Sequence, residues 1–171
     1  MAFKSSQDRD WYYRRGDLVH QSTVWIDQGT LEMAKVRDWS VGILGDTGDI
    51  TPYCEAYLKF KQQVRPEVIL CEHEVRPCLG VVGHLDRVFK YPCIRQRVVC
   101  DIKTNQCDDA TALQTMAYSL GLSWVTRRMG LALKDNGQFK VTWYTDNLRD
   151  LATWNEAVAT AFRLKGIQHD N

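Results

Sequence analysis

The sequence predicts a single α/β domain in which helices flank a central mixed β-sheet. Helical periodicity dominates the first third of the chain, and β-branched segments then alternate with further helices. A chain of 171 residues is long enough to bury one hydrophobic core. No repeat, low-complexity segment or linker separates a second unit, so we assign residues 1–171 to one domain.

Periodicity and end signals place the individual elements. Gly16 is expected to interrupt the first helical stretch, residues 29–51 are mixed and end in a loop, and Thr51 with Pro52 marks a helix start. Residues 135–137 read Asp-Asn-Gly, which predicts a tight hairpin. Helices are predicted over residues 6–15, 17–28, 52–63, 110–120 and from 146 or 147 to about 164. Strands are predicted over residues 68–71, 78–89, 97–103, 125–133 and 139–144.

Composition and charge limit the function classes. Hydrophobic residues make up 44% and charged residues 25% of the chain, as in ordinary globular proteins. No apolar run reaches the length of a membrane span and no apolar signal segment begins the chain, so we expect a cytosolic protein with no membrane partner. The net charge of +1 is not that of a strongly basic nucleic-acid binder, so any DNA must be held by local patches and a metal.

The six cysteines form no recognisable metal motif. No C-x-x-C pair or histidine pair is present, and several cysteines lie in apolar, strand-like stretches. We therefore expect reduced, mostly buried thiols that pack as small hydrophobic groups. An iron–sulfur cluster is the sharper alternative, but the spacing gives it little support.

The chemistry centres on Asp101-x-Lys103, at the end of the strand predicted to be most buried. Side chains alternate along a strand, so Asp101 and Lys103 share one face. The carboxylate can hold a hard cation, and the ammonium can orient a water or stabilise charge at a phosphate. The pair alone is a weak signal, because a solvated strand end carries the same residues.

Asp86 strengthens this hypothesis. It lies in the preceding predicted strand, and antiparallel pairing of the two strands would bring it beside Asp101. Two buried carboxylates repel each other unless a cation neutralises them. A shared Mg²⁺ or Mn²⁺ would do so and would bind a phosphate. The alternative is that Asp86 pairs with Arg87 or another cation.

Two helical features point to the same place. Gln114 and Tyr118 are four residues apart, so they share a helix face and could contact a phosphate or brace Lys103, or simply form a polar rim. His20 follows Gly16 by four residues. A lone histidine is more often structural than a ligand, although imidazole suits Mn²⁺.

Four short motifs, taken in chain order, resemble those of the PD-(D/E)XK nuclease superfamily. They are Gly16-x-x-x-His20, Gly83-x-x-Asp86, Asp101-x-Lys103 and Gln114-x-x-x-Tyr118. The nearest branch contains RecB-type nuclease domains and related phage exonucleases. The resemblance spans residues 16 to about 145. Leu85 stands where the superfamily's name has proline, a departure common in this branch.

The resemblance implies a restriction-endonuclease-like core and the activity of a Mg²⁺- or Mn²⁺-dependent deoxyribonuclease. It also implies a role in DNA recombination, repair or processing, in the cytoplasm of a bacterium or phage-infected host. The implied metal ligands are His20, Asp86, Asp101 and the carbonyl of Ile102. Lys103 would assist the attacking water, with Gln114 and Tyr118 in support. An acidic helper is also expected, and Glu72 and Glu74 both remain open.

DNA contacts and partners are less defined. Arg14 and Arg15 precede His20, and Arg127 and Arg128 begin a strand, so each pair could bind phosphate. The nearby aromatic residues 11–13 could stack on unpaired bases or pack in the core. An exonuclease acting on single- or double-stranded DNA ends is expected, with a recombination partner or a homo-oligomer possible. The alternatives are a structure- or sequence-specific endonuclease and a non-catalytic DNA- or protein-binding module.

Overall fold

A computed structural model describes residues 6–78, 80–91, 96–125 and 127–164. The described residues form five helices and five strands, in the order ααα-βββ-α-ββ-α. The helices are α1 (Ser6–Gln28), α2 (Met33–Leu44), α3 (Thr51–Val64), α4 (Asp109–Leu120) and α5 (Asn147–Leu164). The strands are β1 (Glu67–Cys78), β2 (Val81–Lys90), β3 (Arg97–Thr104), β4 (Arg127–Leu133) and β5 (Phe139–Tyr144).

The strands form one sheet in the order β1-β2-β3-β4-β5. β3 and β4 pair in parallel through the crossover helix α4, and the other neighbours are antiparallel. The sheet is therefore mixed and flanked by helices, which confirms the predicted α/β class. No helix in the described ranges is long and apolar enough to cross a membrane.

Two apolar layers cover the sheet. The larger packs α1, α2 and α3 against alternate residues of the central strands, including Val98, Cys100 and Ile102 of β3. The smaller packs Val99 of β3 with residues of β1 and β2 beneath α4. This alternation sends Asp101 and Lys103 towards α4, as expected for side chains two residues apart on a strand.

Helix boundaries differ from the sequence-based expectation in three places. Gly16 does not interrupt α1, because core packing by Leu18 and Val19 offsets the cost of about 1 kcal/mol of a helical glycine. Residues 33–44 form α2, whose buried residues include Val36 and Leu44. Thr51 does not cap α3; its backbone N–H donates to Asp49 Oδ1 at 2.9 Å instead.

The strand boundaries also shift at one turn. Cys78 ends β1 rather than beginning β2, and Gly80 adopts a φ of +78° in the turn between them. Asp108 caps α4 by accepting from the N–H of Thr111, whose hydroxyl in turn accepts from the N–H of Asp108. Gly137, with a φ of +72°, makes the predicted hairpin.

Candidate active site

The candidate site lies where β2 and β3 separate. Their ladder ends at Arg87 opposite Cys100, so the next pair, Asp86 and Asp101, lies just beyond the last paired residues. Both side chains are buried, with relative exposures of 6% and 0%. Asp86 Oδ2 accepts a hydrogen bond from the backbone N–H of Ile102. The antiparallel arrangement thus brings the two carboxylates together, as the sequence predicted.

Asp101 has unmet hydrogen-bonding capacity. Within the described residues, Oδ1 has no hydrogen-bond partner, and the partner of Oδ2 is the ammonium of Lys103, whose Nζ lies 2.7 Å away. Burial, and next the charge of Asp86, raise the pKa of Asp101 to about 7, against the lowering effect of Lys103. A buried carboxylate oxygen without a donor, next to a second carboxylate, is the feature expected of a cation ligand.

Lys103 is held from a second side by α4. Its Nζ donates to Gln114 Oε1 at 2.8 Å, and Gln114 Nε2 donates to the Tyr118 hydroxyl at 2.6 Å. Burial raises the pKa of Tyr118 above its ordinary value, so the phenol stays neutral. A Cβ on Gly83 would lie only 3.0 Å from Tyr118 Cε1, so this glycine makes room for the ring. Gln114 and Tyr118 therefore brace the lysine, one of the two roles considered from the sequence.

A group that could hold a metal ion lies on the other side of Asp86. One ligand atom from each of His20, Glu72 and Asp86 lies within 4.8 Å of the others. His20 Nδ1 lies 3.3 Å from Asp86 Oδ1. Burial alone lowers the pKa of His20, but the hydrogen bond with Asp86 and the charges of Asp86, Asp101 and Glu72 outweigh it, so the pKa is raised. The helix α1 thus places an imidazole beside Asp86, in the middle of β2.

The structure distinguishes the two acidic residues that the pattern left open. Glu72 joins the group with His20 and Asp86, whereas Glu74 pairs with Arg76 at 2.8 Å and faces His84. Glu72 has a φ of +46°, a left-handed conformation that is uncommon for residues other than glycine. Such backbone strain is concentrated at functional sites. Simple strand alternation could not reveal this left-handed conformation within β1.

The backbone of Ile102 is placed to contribute as well. In a strand, the N–H and C=O of one residue point towards the same neighbour. Since the N–H of Ile102 reaches Asp86 on the β2 side, its carbonyl also faces that side. β2 no longer pairs with β3 at this level, so the carbonyl points into the gap between the two carboxylate-bearing strands.

The two N-terminal arginines differ in their surroundings. Arg14 is exposed, whereas the guanidinium carbon of Arg15 lies 4.9 Å from the ring centroids of both Trp11 and Tyr12. It also lies 5.4 Å from the ring of Tyr53. The aromatic residues therefore have a structural role around Arg15, and Trp11 Nε1 additionally donates to the carbonyl of Leu44.

The second arginine pair lies away from the carboxylates. Arg127 is opposite Val98 at the start of β3, whereas Asp101 is opposite Gly130, three residues further along β4. At about 3.3 Å per residue this is a separation of about 10 Å along the strand. Arg128 is buried and ties α4 and α5 together. It bonds the carbonyl of Ala112, Asn147 Oδ1 and, at 2.7 Å, Asp150. A DNA contact by Arg128 would require these bonds to break.

The described cysteines are free thiols. Cys54 and Cys100 are buried, Cys71 and Cys107 are partly buried, and Cys78 is exposed. Burial raises the pKa of the Cys107 thiol to about 11, which is typical of an unreactive thiol. Cys93 lies outside the described residues.

Sequence reasoning missed the role of Arg87. The guanidinium is fully buried, and it lies between Asp27, Glu72 and Thr23. It does not pair with the Asp86 carboxylate, the alternative considered from the sequence, but donates to the Asp86 backbone carbonyl at 2.6 Å. A charged residue inside an apolar strand was the available signal, because a buried guanidinium needs partners.

Comparisons with known proteins add little about function. No family model and no curated protein matches the chain. Among solved structures, the chain is similar to the crystal structure of SSO0001, with 16% sequence identity over 85% of this chain and 73% of that chain. The TM-score is 0.39, and a likeness at that level carries no functional argument.

Proposed function

We propose that this protein is a Mg²⁺- or Mn²⁺-dependent deoxyribonuclease that acts on DNA ends, with a restriction-endonuclease-like core and the PD-(D/E)XK motif pattern. One observation carries the proposal. The buried Asp101 carboxylate lies beside Asp86, its Oδ1 has no partner among the described residues, and its Oδ2 has only the ammonium of Lys103 next to it. Paired buried carboxylates lower the stability of a fold, because their charges repel each other. We therefore attribute this combination to hydrolysis of a phosphodiester.

The donor set fits a hard divalent cation. Carboxylate and carbonyl oxygens suit Mg²⁺ and Mn²⁺, and the imidazole of His20 favours Mn²⁺ of the two. Asp86, Asp101, His20 and the carbonyl of Ile102 would hold the ion, with Glu72 as the acidic helper. A bound cation polarises the phosphate and lowers the pKa of a water.

The chain's own residues supply positioning and charge. Lys103 Nζ, fixed by Gln114, is available to orient the attacking water or to donate to a phosphate oxygen as negative charge develops. Attack of water on phosphorus breaks one P–O bond, and the departing oxygen takes up a proton. The cation–π cluster around Arg15 orients that guanidinium on the helix that carries His20, and we assign Arg14 and Arg15 to DNA phosphate contacts.

The test is an assay on 5′- and 3′-end-labelled single- and double-stranded linear DNA with Mg²⁺ or Mn²⁺. The wild type is expected to release nucleotides, and EDTA to stop it. Asp101→Ala and Lys103→Ala should each lower the rate by roughly 100-fold or more. Glu32→Ala and Lys35→Ala are matched controls, because the two side chains form an exposed ion pair with each other. Full activity in either site variant would refute the assignment.

Covalently closed circular DNA separates the two nuclease classes. An exonuclease leaves it intact, and cleavage would identify an endonuclease on the same site. Mn²⁺ titration by calorimetry tests the non-catalytic alternative, for which no binding dependent on Asp86 and Asp101 is expected.

A further inference from the structure

We propose that Arg87 is a positioning residue for the metal group, the set formed by His20, Glu72 and Asp86. From within the core, it holds these three side chains in place relative to one another. The proposal rests on the metal-binding part of the proposed function and not on DNA cleavage. It concerns a residue that contacts neither substrate nor metal.

The first contact is with Glu72. Arg87 Nη1 donates to Glu72 Oε1 at 2.9 Å, and Glu72 is the residue whose backbone adopts the left-handed conformation. That conformation is strained for a residue other than glycine and persists only where the surroundings hold it. The ion pair with a fully buried guanidinium supplies such a restraint.

The second contact is with the strand that carries Asp86. The same Nη1 donates to the backbone carbonyl of Asp86 at 2.6 Å, at the point where the β2–β3 ladder has ended. This bond satisfies a carbonyl that lies next to the end of the ladder. It fixes the peptide from which the Asp86 carboxylate projects.

The third contact reaches His20 through α1. Arg87 Nη2 donates to Thr23 Oγ1 at 3.0 Å, and the Thr23 hydroxyl donates to the carbonyl of His20 at 2.7 Å. Arg87 Nε donates to Asp27 Oδ2 at 2.8 Å, one turn further along the same helix. One guanidinium thus ties the helical turn bearing His20 to the strands bearing Asp86 and Glu72.

The charges explain why an arginine is required. Asp27 is also bound by Lys61 Nζ and the Tyr57 hydroxyl, both at 2.7 Å, so the carboxylate is anchored independently of Arg87. The planar guanidinium then reaches Asp27, Glu72 and Thr23 at once, with a fixed fork of donors. A lysine would keep the positive charge but could not keep this geometry.

The experiment measures Mn²⁺ affinity by calorimetry and metal-free thermal unfolding in Arg87→Lys, Glu72→Ala and the double variant. Residues that orient ligands typically change affinity by about 10- to 100-fold, so we expect Arg87→Lys to weaken Mn²⁺ binding by that range. The effect should be several-fold smaller in the Glu72→Ala background, because part of it acts through Glu72. Lys61→Met is the control: it breaks another ion pair of Asp27 and lowers Tm, but should leave Mn²⁺ affinity unchanged.

If Arg87→Lys does not fold, Thr23→Val provides the same test. It removes only the link to His20, and its effect on Mn²⁺ affinity should shrink in a His20→Ala background. Three outcomes would overturn the proposal. The folded variant binds Mn²⁺ as tightly as the wild type, the substitution weakens Mn²⁺ binding equally in the wild-type and ligand-variant backgrounds, or the wild type binds no Mn²⁺. A wild type that binds Mn²⁺ but cuts no DNA would refute the proposed function and leave this inference standing.

Discussion

The Asp86 carboxylate accepts a hydrogen bond from the backbone N–H of Ile102, the residue directly after Asp101. This bond connects two strands at the point where their backbone ladder has stopped. It holds one carboxylate against the strand that presents the other. The repulsion between Asp86 and Asp101 is thereby built into the fold.

The pH dependence of metal-free stability should reveal this repulsion. The pKa of Asp101 is raised from 3.8 to about 7. Between about pH 4 and 7, the folded chain therefore binds the proton of the Asp101 carboxyl group more tightly than the unfolded chain does. The stabilising contribution of the proton is therefore present at low pH and lost as the pH rises through 7. The raised pKa of His20 acts in the same direction.

Thermal unfolding in EDTA between pH 5 and 8 measures this effect. Wild-type Tm should fall relative to that of Asp101→Asn as the pH increases, with a shift of about 2–4 °C per kcal/mol. Parallel curves for the two proteins would contradict the prediction. Added Mn²⁺ should stabilise the wild type most at the high-pH end, since metal competes with protons for the carboxylate.

The brace on Lys103 should affect activity more than stability. Tyr118→Phe removes the hydroxyl that accepts from Gln114, and a lost hydrogen bond of about 0.5–1.5 kcal/mol predicts a rate about 2- to 10-fold lower. Gln114→Ala removes the partner of a charged group, so a loss of about 10- to 100-fold is expected. Cleavage kinetics under metal saturation measure both. Ser119→Ala, on the same helix, is the control, and equal rates in all four proteins would exclude the brace.

Gly83→Ala should disturb the site through Tyr118. The new Cβ would approach Tyr118 Cε1 to 3.0 Å, so the ring must shift, with an overpacking cost of about 1–3 kcal/mol. Gly16→Ala is the contrasting change: its Cβ meets nothing within 4 Å in α1, so a gain of about 0.5–1 kcal/mol is expected. Denaturant unfolding measures both. A Gly83→Ala protein as stable as the wild type would show that the ring accommodates the methyl group.

Arg128 should prove structural rather than DNA-binding. Arg128→Met leaves Asp150 without its ion-pair partner, and breaking a buried pair predicts a loss of roughly 3 kcal/mol. Arg127→Gln changes an exposed side chain and should shift stability by less than about 0.5 kcal/mol. Thermal unfolding with DNA-affinity measurements distinguishes the two roles. Weaker DNA binding by Arg128→Met at unchanged Tm would restore the assignment to DNA.

The sequence alone was sufficient for the α/β class and for the shared face of Asp101 and Lys103, because local periodicity depends only on residue order. The antiparallel pairing of the strands bearing Asp86 and Asp101 was a hypothesis from the sequence, and the tertiary structure decided it. The hairpin at residues 135–137 was also predictable locally, from its Asp-Asn-Gly turn.

Tertiary structure decided the rest. α1 continues through Gly16 because packing across the chain outweighs a local cost. Glu72 rather than Glu74 joins the group with His20 and Asp86, because its left-handed backbone conformation and its hydrogen bond from the buried Arg87 hold it there. Arg128 bonds α4 and α5 instead of facing solvent. In each case the deciding partner is distant in sequence, and local patterns carry no information about such contacts.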